Sequence, residues 1–153
     1  MKIKDIMSTA IAFISPEETI IQAAQLMKNH DVGSIPVCRG EQVVGIITDR
    51  DIALKVVANG SNPAVLLVGE IMSPNPVLGN PDMDVAEAGE LMGKNQIRRL
   101  PIVDNDRLVG IISLGDIAIE PLLQEKAGGI LTEVSESTSS KTEVDPVVKT
   151  VQY

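Results

Sequence analysis

Aromatic side chains are almost missing from this chain of 153 residues: Phe13 and Tyr153 are the whole set, and tryptophan is absent. The interior must therefore be built from Ile, Val, Leu, Met and Ala. No aromatic platform exists on which the bases of a single strand could stack. A cationic surplus is missing too. Thirteen Lys and Arg stand against 21 Asp and Glu, a formal net charge of −8. That argues against nucleic acid as the main partner, because phosphate neutralisation needs a basic face. A small anionic ligand held by a few local cations stays compatible with it.

Cys38 is the single cysteine, so an intramolecular disulfide is excluded. Set between Val37 and the Arg39–Gly40 turn, it reads as a buried, aliphatic-like thiol. His30 is equally alone, so neither a zinc set nor a Cys–His or Ser–His nucleophile is visible. No apolar run approaches the length of a membrane span. The opening "MKIKDIMSTAIAFISPEE" lacks the sustained apolar stretch of a secretory signal. A cytoplasmic, bacterial-type setting is the expectation.

What the chain does have is written twice. "VVGIITDRDIA" at 43–53 returns as "LVGIISLGDIA" at 108–118, 65 residues later. The same shift lays 5–53 on 70–118 without a gap: Ile6-Met7-Ser8 on Ile71-Met72-Ser73, Pro16 on Pro81, Leu26-Met27 on Leu91-Met92, Pro36 on Pro101. Identical spacing over so long a run marks a tandem duplication.

Each copy predicts the same succession: strand, helix, strand, strand, helix. "SPEETIIQAAQLMKNH" places Ser15 as a helix cap, Pro16 in the first turn and Glu18 closing a capping box. Ile20, Ala23, Ala24 and Met27 then share one apolar face. Asn80 and Pro81 repeat that start in the second copy. "SIPVC" and "VVGIIT" around "RGEQ", and "RLPIV" and "LVGIIS" around "DNDR", predict two hairpins. A second helix follows each, ending at Gly60 in the first copy and reaching Gly128 in the second, with Pro121 expected to kink or shorten it. The expected organisation is therefore one unit over 1–60, a second over 61–126, and a flexible Ser/Thr-rich tail over 127–153, with "VVKTVQY" as a possible last strand.

Nothing in these segments has the form of an enzyme site. "DNDR" at 104–107 lacks the remaining positions of a calcium loop and reads as a turn. Glycine-rich dinucleotide and P-loop patterns are absent. What remains is Thr48-x-x-Asp51 and its repeat Ser113-x-x-Asp116, each at the passage from strand to helix. This spacing is a capping box, which serves only the helix. The same geometry offers a phosphate-attracting helix start and a carboxylate able to accept from a ribose diol. Both readings stand on the motif alone. Arg98 and Arg99 of "IRRLP" replace Gly33 and Ser34 of the first copy. They read either as ion-pair partners of nearby acids or as a phosphate clamp.

The doubled pattern D-I-M-S, capped helix, Pro-Val or Pro-Ile strand and G-I-I-Thr/Ser-x-x-D-I resembles a tandem pair of CBS domains, the modules named after cystathionine β-synthase. The likeness covers about residues 1–125. It implies an α/β fold of two βαββα units related by a pseudo-twofold axis and packed sheet to sheet, often dimerised through helices. It also implies a non-catalytic sensor that binds an adenosine-containing ligand (AMP, ADP, ATP, NAD, S-adenosylmethionine or cyclic di-AMP) and signals to a separate protein. No cofactor, metal, nucleic acid or membrane is called for. Carried over by position, Asp51 and Asp116 would hold ribose hydroxyls, with Thr48 and Ser113 near ribose or phosphate and Arg98 and Arg99 on phosphates. Ala10, Ile11 and Ala12, Asn75, Pro76 and Val77, and the strand starts Ile35-Pro36 and Leu100-Pro101 would line the base pocket. The first copy lacks the basic pair, and Leu114-Gly115 replaces Asp49-Arg50, so the two clefts are expected to differ. The rival reading is a ligand-free interaction or dimerisation scaffold.

Overall fold

A computed structural model describes residues 1–121 and 123–139. In chain order the regular elements are α1 (Ile20–His30), β1 (Ser34–Arg39), β2 (Gln42–Thr48), α2 (Asp49–Asp51), α3 (Val68–Ile71), β3 (Ser73–Pro74), α4 (Val85–Asn95), β4 (Arg99–Asp104), β5 (Arg107–Ser113), α5 (Leu114–Ile119) and α6 (Gln124–Ser139). A 3-10 turn over Ile3–Asp5 precedes them, and a π-helical segment over Ile52–Val57 continues α2.

Both predicted hairpins are present. β1 pairs antiparallel with β2, and β4 with β5, with the register breaking at the same repeat position, Val37/Cys38 and Ile102/Val103. The turns are made by left-handed residues, Gly40 in the first and Asn105 and Asp106 in the second, types that tolerate positive φ. The leading strand of each unit shrinks to one parallel bridge, Ile14 to Val37 and Gly79 to Ile102. Ile14 donates to the Pro36 carbonyl at 3.1 Å and accepts from the Cys38 N–H at 2.8 Å.

The two cores are not split at the middle of the sequence. Ile3, from the N-terminal turn, is buried with Val85, Met92, Leu100 and Ile112, while Val68 is buried with Ile14, Ile20, Ile35 and Ile47. Backbone bonds seal the exchange: the Ile3 N–H to Met83 O at 2.9 Å, and the Val68 N–H to Glu18 O at 2.8 Å. These pairs are related by the repeat shift. Each unit therefore lends its opening turn to the other's core, so the segments that follow, 8–12 and 73–77, pass between the halves. The β-pairing shows the same relation. Ser8 bridges Ile111 on β5, and β3 pairs with β2 at Ser73 and Ile46.

Three expected details change. Ser15 closes a turn with Glu18, and α1 begins only at Ile20, capped by Thr19 and Gln22. Likewise Asn80 closes a turn on Asp82, and α4 starts after Asp84. Proline after these residues fits such turns as well as a helix start. Ala24 is exposed, since only Ile20, Ala23 and Met27 of α1 are buried. Finally, residues 127–139 of the expected flexible tail belong to helix α6, whose Ala127, Ile130 and Val134 are buried in the second core. Their spacing of three and four residues puts them on one helical face. Gly89 and Gly93 of α4 make room for it, because a Cβ there would strike Ile130 and Glu133. The repeat mates of these glycines are Ala24 and Lys28. Pro121 does its expected work: α5 stops at Ile119 and α6 is a separate helix. The C-terminal strand expected from "VVKTVQY" lies outside the described residues, as does the rest of 140–153. Among the described residues no helix is long and apolar enough to cross a membrane.

Candidate functional site

Each hairpin delivers its Thr or Ser at the last strand position, and the next residue starts a helix. Thr48 Oγ1 accepts the Asp51 N–H at 3.0 Å, and Asp51 Oδ2 accepts the Thr48 N–H at 3.0 Å. In the second unit Ser113 Oγ accepts the Asp116 N–H at 3.1 Å. Asp116 Oδ2 accepts both the Ser113 N–H and its hydroxyl at 2.7 Å. Both are complete capping boxes, so each carboxylate is held rigidly by local backbone.

A cavity opens at the second of them. A pocket of about 180 Å³ is lined by Ser113, Asp116, Arg99 and Ile111 of the second unit, and by Ser8, Ala10, Ile11, Ala12, Val32, Ser34 and Pro36 from the first part of the chain. Its walls therefore come from both halves, and the crossing segment 8–12 supplies one side. Asp116 is half-buried and Arg99 half-exposed. Among the described residues neither Arg98 nor Arg99 is in an ion pair. Among those residues the ion-pair reading of this basic pair finds no partner, and the cavity brings one cation and one carboxylate against aliphatic walls.

Seven of the expected residues meet there: Ala10, Ile11, Ala12, Pro36, Arg99, Ser113 and Asp116. Ile35 and Leu100 do not, since both are fully buried in the cores. Alternation explains this: side chains on a strand point to opposite faces in turn, so Ser34 and Pro36 reach the cavity and Ile35 the core. Arg98 is exposed outside it, and Thr48, Asp51, Asn75, Pro76, Val77 and Pro101 are not among its walls. They belong to the repeat-related side, where Asn75 takes a left-handed conformation at φ 53° and Val77 packs on the second core. Ser8, Val32, Ser34 and Ile111 were missed. Ser34 had a signal, since its repeat mate is Arg99.

The two acids also differ in their second oxygen. Asp51 Oδ1 lies 3.0 Å from the Lys55 ammonium, whereas among the described residues Asp116 Oδ1 has no partner. Elsewhere, burial pushes the Cys38 thiol up to about 11, as expected for an unreactive buried cysteine. No three His, Cys, Asp or Glu side chains gather among the described residues.

Comparison with known proteins fits this architecture. The family model for the CBS domain matches twice, over residues 3–58 and 68–122. The CBS domain-containing protein YhcV of Bacillus subtilis (strain 168) is 49% identical over 133 residues, covering 87% of this chain and 94% of its own. Among solved structures, Hypoxic Response Protein I with two coordinated zinc ions superposes with a TM-score of 0.73 at 33% identity, over 78% of this chain and 98% of that one. The CBS domain pair of protein MJ0100, in complex with 5'-methylthioadenosine and S-adenosyl-L-methionine, gives a TM-score of 0.71 at 30% identity, over 82% and 98%.

Proposed function

This chain belongs to the CBS-domain family, and on that premise we propose that it is a non-catalytic sensor binding an adenine nucleotide between its halves and signalling to a separate protein. The carrying observation is the cavity in which Asp116, with one oxygen unpartnered among the described residues, and Arg99 face aliphatic walls from both halves. Asp116 Oδ1 would accept from the ribose diol. The apolar faces of Ala10, Ala12, Val32 and Pro36 would take the base, and backbone groups of residues 9–12, beyond the Ser8–Ile111 bridge, its polar edge. Arg99 would meet the phosphate. The cavity is smaller than the ~300–1,000 Å³ common for ligand sites. A whole nucleotide therefore fits only with its phosphates projecting outward or with the halves adjusting.

That adjustment is the signal. A ligand touching both halves favours the relative packing it binds best, by its difference in affinity for the alternatives. The ligands in the MJ0100 complex are adenosyl compounds, which supports the ribose and base assignments and leaves the charged end to Arg99.

A second reading has its own observation. Both capping boxes are complete without any ligand, and Leu54 and Val57 are 52% and 70% exposed, which favours a dimerisation scaffold. A thermal-shift panel separates the two. It sets AMP, ADP, ATP, NAD, S-adenosylmethionine and cyclic di-AMP against guanine nucleotides, on wild type and Asp116→Ala. A ligand at a hundred times its Kd stabilises by roughly 2.7 kcal/mol, a shift of several degrees. An adenine-selective shift lost in Asp116→Ala supports the sensor. No shift with any compound, and a variant merely less stable in buffer, supports the scaffold.

A further inference from the structure

The duplicated acids are positioned alike but occupied differently. Asp51 and Asp116 each commit Oδ2 to their own capping box, at 3.0 Å and 2.7 Å from the backbone N–H of Thr48 and Ser113. What each can offer a ligand is therefore Oδ1. Asp51 Oδ1 is taken by the Lys55 ammonium at 3.0 Å, and the same ammonium donates to the Ile71 carbonyl at 3.1 Å. One repeat later the residue at Lys55's position is Glu120, which has no ammonium to give.

Lys55 is well held. Asp51 and Lys55 stand four residues apart where α2 passes into the π-helical segment, and the two side chains meet there. The Asp51 side chain is 15% exposed and that of Lys55 47%, so the carboxylate is sheltered while the ammonium is partly open to water and salt. Ile71 is the last residue of α3, where carbonyls lack helical partners and a lysine is a natural donor. The ammonium thus joins the π-helical segment of the first unit to the turn that leads into segment 73–77. A nucleoside using Asp51 would have to trade this charge-assisted bond for a neutral hydroxyl donor, about half as strong.

We propose that Lys55 is a built-in occupant of the first-repeat acid, so that the chain takes one nucleoside, at Asp116, and not one in each half. The inference rests on the nucleotide-sensor reading above and names the residue that sets its stoichiometry. Duplication doubled the fold, and Lys55 keeps the ligand count at one.

Titration calorimetry on the full chain tests it, with AMP and with S-adenosylmethionine as separate probes. Wild type is expected to bind one equivalent of at least one probe. Lys55→Met, which keeps the apolar stem, and Lys55→Gln are each expected to bind two. Lys55→Met combined with Asp51→Asn is expected to return to one. Two equivalents on wild type, or one equivalent retained by both Lys55 variants, overturns the role of Lys55 and leaves the sensor reading standing. Absence of binding by wild type and by both variants, with both probes, overturns the two together.

Discussion

Met72 lies across Gly45 of β2 as Met7 lies across Gly110 of β5. Each thioether comes from the opposite unit and occupies the space a Cβ would need, so the absence of a side chain is what lets the crossing segments lie flat on the hairpins. The two positions are not equally forgiving. A Cβ on Gly45 would also stand 2.9 Å from the Ser73 carbonyl oxygen, whereas the three atoms nearest one on Gly110, out to 3.3 Å, all belong to the flexible Met7 side chain. Gly45→Ala is therefore expected to destabilise by about 1–3 kcal/mol, the cost of overpacking. Gly110→Ala should cost less, because a methionine side chain can turn aside. Urea unfolding of both variants checks the order, and equal losses would refute it.

Arg99 provides a test of where the phosphate goes. Removing a charged hydrogen-bond partner is worth about 1.5–3 kcal/mol, so Arg99→Ala should weaken AMP by roughly 10- to 100-fold. Adenosine, without phosphate, should bind both proteins alike. An equal loss for both ligands in a calorimetric comparison would place Arg99 at the base or ribose instead.

Helix α6 is part of the second core. Ile130 is 8% exposed and buried with Ala88, Met92 and Ile117, so Ile130→Ala is expected to cost about 2–5 kcal/mol. A flexible tail would leave the chemical-denaturation midpoint unchanged on the same substitution.

Cys38 should be slow to react. With its native pKa pushed up to about 11 by burial, and an unfolded thiol near 8.5, iodoacetamide at pH 8 should label the folded chain on the order of 100-fold more slowly than the chain in urea. The sign for stability follows from protons bound. Between about 8.5 and about 11 the folded state keeps a proton that the unfolded state has lost. This group's contribution is thus complete below about 8.5 and disappears as pH rises through about 11. Comparison of wild type with Cys38→Ala across pH 8–11 isolates it.

Local chemistry made much of this legible in advance. The turns at Gly40 and Asn105, the strands around them and the two capping boxes follow from residues a few positions apart, where spacing and side-chain type decide the structure. The helix starts were misplaced for a related reason: Ser15-Pro16 and Asn80-Pro81 suit a turn and a helix cap equally, and only the backbone bonds of Thr19 and Asp84 separate the two. Within the site, Asp116, Ser113 and Arg99 stood out by motif. Ile111 and Val32 did not, because nothing in a lone isoleucine or valine says whether it faces a core or a cavity.

By itself the sequence determined the duplication, the paired hairpins, the aliphatic interior and the asymmetry of the basic pair, since all of these are properties of residue order and type. The tertiary structure alone decided three matters. Ile3 and Val68 exchange cores, α6 closes over Gly89 and Gly93, and Lys55 reaches Asp51 and Ile71 while Asp116 keeps an oxygen free among the described residues. Except for the Lys55–Asp51 pair, these relations join groups far apart in the chain. Their outcome depends on the space left when two nearly identical units pack together, which no local pattern records.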